Sequence, residues 1–380
     1  MILLHIYALI MFFYITFRFI VTLPLPWSVR VLLVCVTLVF SQYHFFTRYF
    51  FGSLASPEMP YPLLVIASFG FILVAVLFAL LLVRDLFLIV LFLVRQTGFL
   101  APAPFSAERR AFAVAGLGLV LAARGYQQAV TAPDERAVEI RLDRLPPELD
   151  GLVIAHVTDL HATALLNASR VEAVVKTVNA MDADIVLCTG DLVDGSPVNR
   201  AADIAPLKDL RARYGVYACD GNHEYYSGYG PWMRRFEELG LTMLRNENAV
   251  LSIKGKQLVV AGITDPVALS FGLPGPDVRQ ALADTPRNAP VVLLAHQPRF
   301  ARHNAEFPVD LQLSGHTHGG QLWGFDRIVA SRNDGFLRGL YTLGRMQLYV
   351  NSGAGLWTGF PVRLGVPSEI ARIVLRAGKG

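Results

Sequence analysis

Leu152-Val-Ile-Ala-His-Val-Thr-Asp-Leu-His161 opens on a run of apolar and β-branched residues and closes on an aspartate and a histidine two positions apart. A short run of this kind reads as a strand, and polar residues that follow a strand directly stand at its C-terminal end. The pattern recurs down the chain. Ile185-Val-Leu-Cys-Thr189 leads to Gly190-Asp191, and Val216-Tyr-Ala218 leads to Gly221-Asn-His-Glu224. Val291-Val-Leu-Leu-Ala295 leads to His296, and Leu311-Gln-Leu-Ser314 leads to Gly315-His-Thr-His318. Helical segments, such as the one from about Ser169 to Ala180, alternate with these runs, which points to a layered α/β fold. Open α/β sheets place their sites at the carboxyl ends of strands, where every one of these clusters falls.

The residue types specify a chemistry. Two divalent cations about 3.5–4 Å apart need carboxylate, imidazole and carbonyl-type ligands, one of which bridges them. Imidazole with carboxylate and amide oxygen suits Mn, Fe or Zn better than Ca or Mg. Of the nine histidines, His161, His223, His296, His316 and His318 lie in the motifs, while His5, His44, His156 and His303 lie elsewhere. One histidine at a strand end is ordinarily structural; five at strand ends, interleaved with Asp159, Asp191 and Asn222, favour a metal site.

In this order, the D-x-H, GD, GNH[DE], H and GHxH blocks resemble the calcineurin-like metallophosphoesterases over roughly residues 150–375. Gly221-Asn-His-Glu-Tyr-Tyr-Ser-Gly228, Leu313-Ser-Gly-His-Thr-His-Gly-Gly-Gln321, Asn351-Ser-Gly353 and Arg363-Leu-Gly-Val-Pro-Ser-Glu-Ile370 narrow the resemblance to a membrane-anchored bacterial branch. The resemblance implies a four-layer αββα sandwich and two divalent metal ions, Mn first and Fe or Zn as alternatives. One ion would be held by Asp159, His161, Asp191 and His318, the other by Asp191, Asn222, His296 and His316, with Asp191 bridging. It further implies that a hydroxide shared by the metals attacks phosphorus, that His223 protonates the leaving oxygen, and that Asp194 orients His223.

Other residues near the motifs take plainer roles. Glu224 reads as an outer-shell or structural acceptor rather than a ligand, and Asp265 as a turn former that could also line the site. Arg299 and Arg338 read equally as surface residues or as contacts to a second phosphate. The three cysteines, Cys35, Cys188 and Cys219, are too few for a disulfide scaffold and form no CxxC pair, although a bond between Cys188 and Cys219 stays open.

Outward from this region the composition changes. The chain of 380 residues is 53% hydrophobic and only 17% charged, far below the roughly one-quarter charge of soluble domains. The excess lies before residue 125. A bilayer span needs about 20 apolar residues. Ile2 to about Leu23, Val31 to about Phe46 and Tyr61 to Val83 qualify, and Ala111 to Ala123 is a shorter fourth candidate. After Val83 the third stretch meets Arg84-Asp85, and a second apolar run follows up to Arg95. Aromatics from Tyr43 to Phe51 crowd the end of the second stretch, as at a membrane interface. The expected organisation is therefore residues 1–125 as a transmembrane region of about four helices, 126–149 as a polar linker and 150–380 as the catalytic domain.

Short cytoplasmic loops are enriched in Lys and Arg. Arg95, Arg109 and Arg110 before the fourth segment belong inside by that rule, with Arg18 and Arg30, which leaves Arg48 and Glu58 in the opposite loop. Four crossings then place the catalytic domain on the extracytoplasmic side of a bacterial inner membrane; without the fourth it stays cytoplasmic. A net charge of only +4, with no basic block, argues against nucleic acid as a partner. The expected function is hydrolysis of phosphomonoester, phosphodiester or pyrophosphate bonds, with tethering suggesting a lipid-linked substrate. The contrasting expectation is a non-catalytic binding or sensory module on the same fold, against which the intact ligand set speaks.

Overall fold

The computed structural model describes residues 2–96, 107–357 and 359–378. The chain folds into two compact units, one of Met1–Gln127 with Gly359–Val362 and a second of Gln128–Thr358 with Arg363–Gly380.

In the first unit, α1 spans Ile2–Arg18, α2 Trp27–Ser41, α3 Tyr43–Phe50, α4 Tyr61–Arg95 and α5 Ala107–Val130. Prolines set the breaks: Pro24 and Pro26 separate α1 from α2, and Pro60 stands just before α4. Among the described residues two helical stretches, Leu3–Thr22 and Tyr61–Arg95, are long and apolar enough to cross a membrane, and α2 with α3, bent by 56°, counts as a third only if the pair is one span. Among these residues α5 does not pass the same test. Its apolar stretch from Ala111 to Ala123 rises about 20 Å at 1.5 Å per residue, short of a hydrocarbon core of about 30 Å, and Arg109, Arg110 and Arg124 flank it.

The third stretch does not end at Val83, since α4 runs unbroken through Arg84-Asp85. The structure explains why the charges do not end the helix. Asp85 accepts hydrogen bonds from Tyr14 (2.7 Å) and Arg18 (2.7 Å) of α1 and from Arg84 (2.8 Å), so the carboxylate is partnered on three sides.

Among the described residues the second unit holds twelve strands: β1 Asp134–Leu142, β2 Val153–Val157, β3 Ile185–Thr189, β4 Val216–Cys219, β5 Thr242–Met243, β6 Glu247–Ile253, β7 Lys256–Gly262, β8 Val291–Leu294, β9 Leu311–Ser314, β10 Gly339–Leu343, β11 Met346–Val350 and β12 Glu369–Ala377. They form two six-stranded sheets, ordered β1-β12-β2-β3-β4-β5 and β10-β11-β9-β8-β7-β6. In the first sheet β2, β3, β4 and β5 run parallel. In the second β7, β8, β9 and β11 run parallel. Each parallel set therefore delivers its following loops to one end.

Three apolar layers account for the expected αββα order. Ile154, Leu187, Val260, Leu313 and Ile373 fill the space between the sheets. On the outer face of the first sheet, Val186 and Cys188 meet helix α6 (Ala168–Ala180) and helix α8 (Asn222–Glu238), α7 being the short Pro197–Ile204. In α6, Val171, Val174, Val175 and Val178 are buried, a helical i, i+3, i+4, i+7 stripe, and Asn167 caps its start by accepting from Ser169 N. Val259, Leu293, Val350 and Phe336 pack on the outer face of the second sheet. Buried on both faces, β3 needs a continuous apolar run, which is how its sequence reads.

The stretch expected as a linker, 126–149, is not one throughout. Residues 134–142 are β1, paired in parallel with β12 from Asp134↔Glu369 to Leu142↔Ala377. The charged letters of Asp134-Glu-Arg136 belong to the exposed part of an edge strand, where charge blocks further pairing. Cys188 and Cys219 are free. They stand one register step apart, Cys188 opposite Ala218 and Cys219 opposite Thr189, so strand alternation turns them to opposite faces of the sheet.

Candidate metal centre

Five strand ends supply the site. Asp159 and His161 follow β2, Asp191 and Asp194 follow β3, Asn222 and His223 open α8 after β4, His296 follows β8, and His316 and His318 follow β9. Asp159, His161, Asp191, Asp194, Asn222, His296 and His318 are buried, while His223 and His316 are partly open. Asp159 (φ 50°), His161 (φ 44°), Asp191 (φ 53°), His316 (φ 68°) and His318 (φ 48°) all adopt left-handed backbone. That conformation costs a non-glycine residue about 1–3 kcal/mol and concentrates at functional sites. Cross-loop hydrogen bonds hold it: Asp159 N donates to Gly190 O (3.0 Å), His161 N to Asp191 O (3.0 Å) and Gly355 N to Asp159 O (2.7 Å).

The motif glycines serve these carboxylates. A Cβ on Gly315 would lie 2.1 Å from Asp159 Oδ2, and one on Gly221 would lie 2.3 Å from Asp191 Oδ1. Any larger residue would displace a carboxylate, a physical reason for glycine in the GNH and GHxH blocks.

Besides the trio of His161, Asp194 and His223, the donor atoms of the described residues converge in two groups, Asp159 with His161 and His318, and Asp191 with His296 and His316. His318 Nε2 lies 3.2 Å from His161 Nε2 and 3.2 Å from Asp159 Oδ1. His316 Nδ1 lies 3.2 Å from His296 Nε2, which is 3.1 Å from Asp191 Oδ2. Asp191 Oδ2 is also 3.7 Å from His161 Nε2, so it stands between the groups. Ligand nitrogens about 2.1 Å from a shared cation at angles of about 90–110° would lie about 3.0–3.4 Å apart, which matches these separations. The amide oxygen of Asn222 is buried without a hydrogen-bond partner, an acceptor still to be satisfied. The donor set thus fits divalent cations.

The far side of two imidazoles is fixed. His296 Nδ1 meets Thr189 O at 2.7 Å and His161 Nδ1 meets Asp194 Oδ2 at 2.6 Å, which directs each Nε2 to the donor groups. Asp194 also meets His223 Nδ1 through its other oxygen at 2.5 Å. The carboxylate expected to orient His223 therefore grips His161 too. Burial lowers His316 to about 3, helped by His296, and His318 to about 4, so both are neutral as ligands must be. Burial opposes protonation of His223 as well, but the charges of Asp194 and Asp191 prevail and lift it to about 10.

Glu224 is a structural acceptor. Its carboxylate receives Asp191 N (2.9 Å), Leu192 N (2.6 Å) and Gly221 N (2.7 Å), locking two motif loops together. Asp265 caps the turn at Val267 and accepts from Gln297. Arg299 lies over Phe300, and Arg338 donates to Gly319 O, which ties down the loop after His318. A residue to which no role was attached in the sequence is Arg363. Fully buried, it donates to Ser352 O (2.7 Å) and Gly355 O (2.7 Å) and reaches His318 O (3.4 Å), binding the C-terminal loop beneath the imidazole. The signal was an arginine in a stretch otherwise apolar.

Two six-stranded sheets with buried Asp/His groups at adjoining strand ends define a metal-dependent phosphoesterase type of fold and centre. Residues 152–320 match the Calcineurin-like phosphoesterase family. The chain is 38% identical over 254 residues to an uncharacterized metallophosphoesterase of Helicobacter pylori, covering 66% of each chain. It is 33% identical over 270 residues to a Bos taurus "Transmembrane protein with metallophosphoesterase domain", covering 68% of this chain and 60% of that one. With an uncharacterized metallophosphoesterase of Bacillus subtilis the identity is 30% over 247 residues, 63% of this chain and 84% of the relative. The chain belongs to the calcineurin-like metallophosphoesterase family, and its match spans 66% of the length of the Helicobacter relative and 60% of the bovine one. Matches in both bacteria and animals do not single out a bacterial branch.

Proposed function

We propose that the chain is a membrane-anchored phosphoesterase that hydrolyses phosphomonoester, phosphodiester or pyrophosphate bonds with two divalent cations, Mn foremost. The observation that carries this reading is Asp191 Oδ2, which lies between His296 Nε2 at 3.1 Å and His161 Nε2 at 3.7 Å as a bridging carboxylate would. Asp159, His161, Asp191 and His318 would hold one cation, and Asp191, Asn222, His296 and His316 the other. Such a pair supplies Lewis acidity toward phosphoryl oxygens and an acidified water at neutral pH.

The chain's own residues do the rest. Hydrolysis joins a water oxygen to phosphorus and breaks the ester P–O bond, and the departing oxygen needs a proton. His223 provides it: its side chain is 15% exposed, open to substrate, and Asp194 at 2.5 Å keeps the imidazole protonated and turned. Asp194 is a positioning residue for His223 and, through His161, for the first cation.

Membrane anchoring favours a lipid-linked phosphoester. The external placement expected from sequence requires α5 to cross, and its short apolar stretch now tilts the arginine count toward the cytoplasmic face. A reporter fused after Arg144 tests this, since activity only for an external reporter would contradict it. The function is tested on purified full-length protein with Mn²⁺ and chromogenic mono- and diesters. Metal-dependent turnover is expected, and its absence with every ester would contradict the proposal.

A further inference from the structure

Beside His223 the surface turns apolar. The ring of Tyr226 stands edge-on to His223, with centroids 5.4 Å apart and planes at 71°. Phe271 lies next, 6.1 Å from Tyr226 and 5.7 Å from the buried Tyr225. Tyr226 is 59% exposed and Phe271 49%, and Leu269 (68%) and Leu273 (37%) flank Phe271 on the same loop. An exposed aromatic beside the reacting group, a second exposed aromatic against it and two exposed leucines on the same loop are unusual, because such clusters mark binding surfaces.

The loop is built rather than loose. Its 3₁₀ turn, Pro266–Phe271, is capped by Asp265 and closed by Gly272 in left-handed conformation. Asp265 N donates to buried Asp220 at 2.6 Å, and Leu273 N to Ala268 O at 3.1 Å. Asn246 spans the loop's far end, donating to Gly275 O at 2.8 Å and accepting from Thr264 N and Asp277 N. Buried polar groups therefore fix a segment whose large side chains point outward. Burial, with the charges of Asp265 and Asp191, pushes the Tyr226 phenol up while a hydrogen bond with Asn222 opposes it, so Tyr226 stands between the apolar wall and the donor groups.

We propose that Tyr226 and the 269–273 loop form the leaving-group subsite, and that the substrate is a phosphoester whose alcohol carries an apolar face, aryl or alkyl. This rests on His223 as the acid, because the oxygen it protonates belongs to the alcohol and fixes where that alcohol lies. Contacts made by the non-reacting part of a substrate can be used to orient the reacting bond, which gives a wall here its purpose.

The test uses full-length protein with Mn²⁺ and three water-soluble esters of alcohols of similar acidity: benzyl, hexyl and 2-hydroxyethyl. The wild type is expected to favour the benzyl or hexyl ester by about tenfold or more in kcat/KM, the scale of discrimination a hydrophobic pocket provides. Benzyl ahead of hexyl indicates an aryl alcohol, and hexyl ahead indicates an alkyl chain. Phe271→Ala and Tyr226→Ala should each drive the ratio to the hydroxyethyl ester toward one, and Tyr226→Phe should keep it. Leu340→Ala, an exposed apolar change on β10, controls for surface hydrophobicity and should leave the ratio alone. Equal kcat/KM for the three esters in the wild type, or an unchanged ratio in both alanine variants, would overturn the proposal. So would an effect confined to esters presented in vesicles, which would assign the loop to the bilayer surface. Binding of benzylphosphonate against methylphosphonate separates the two readings. An inactive enzyme that still prefers the benzyl compound through Phe271 contradicts hydrolysis and upholds the subsite, and equal binding contradicts the subsite.

Discussion

The two sheets contribute unlike halves to one centre. Strand ends of the first sheet carry all three carboxylates, Asp159, Asp191 and Asp194, with the Asn222 amide and two imidazoles, whereas the second sheet presents His296, His316 and His318. The anionic half is also the more heavily braced. Glu224 clamps the loops after β3 and β4, and Asp194 joins His161 to His223. The imidazole half is tied to it by direct bonds, His316 N to Asp159 Oδ2 at 2.9 Å and His296 Nδ1 to Thr189 O at 2.7 Å. Carboxylates thus sit on one sheet and imidazoles alone on the other, so cations between them should lock sheet to sheet as well as catalyse.

Breaking the bridge between the halves should have the largest effect. Asp191→Ala is expected to reduce kcat by more than about 10⁴-fold in steady-state assays with Mn²⁺, because it removes a ligand of both cations at once. Changing the acid on the first sheet should be milder. His223→Ala should lower kcat by about 10²–10⁴-fold, with metal content unchanged by elemental analysis. Asp194→Asn should cost about 10–100-fold and weaken cation affinity too, since one carboxylate serves both His161 and His223. A variant with normal affinity would restrict Asp194 to His223.

Removing cations addresses the locking of the sheets. Chelation should lower the melting temperature of the full-length protein, with saturation at a hundredfold Kd worth about 2.7 kcal/mol, or about 5–10 °C for a domain of this size. An unchanged melting curve would mean the sheets hold together without the cations. The smallest effect concerns the cysteines: reductant should leave that temperature unmoved, because Cys188 and Cys219 face opposite sides of the first sheet.

Strand ends and their polar residues were legible because each motif combines a local pattern, an apolar run, with residue types of restricted chemistry. Asp194 was legible by spacing from Asp191, but its second partner, His161, was not, because a contact across two loops leaves no periodic trace. Arg363 likewise bonds backbone carbonyls, which carry no side-chain signature. In β1, exposure of Asp134, Glu135 and Arg136 at a sheet edge imitates the composition of a linker. In α4, Arg84-Asp85 imitates a helix end, and only the partners Tyr14 and Arg18 on α1 show why the helix continues. Phe271 was hidden for another reason: an exposed aromatic in a loop becomes informative once a reacting group is known to stand beside it.

The most direct test of the joined halves is metal stoichiometry measured on wild type, Asp191→Ala and His223→Ala prepared identically with Mn²⁺. The account predicts two ions per chain in the wild type and His223→Ala, and fewer in Asp191→Ala. Two ions retained in Asp191→Ala, with turnover like that of the wild type, would contradict it.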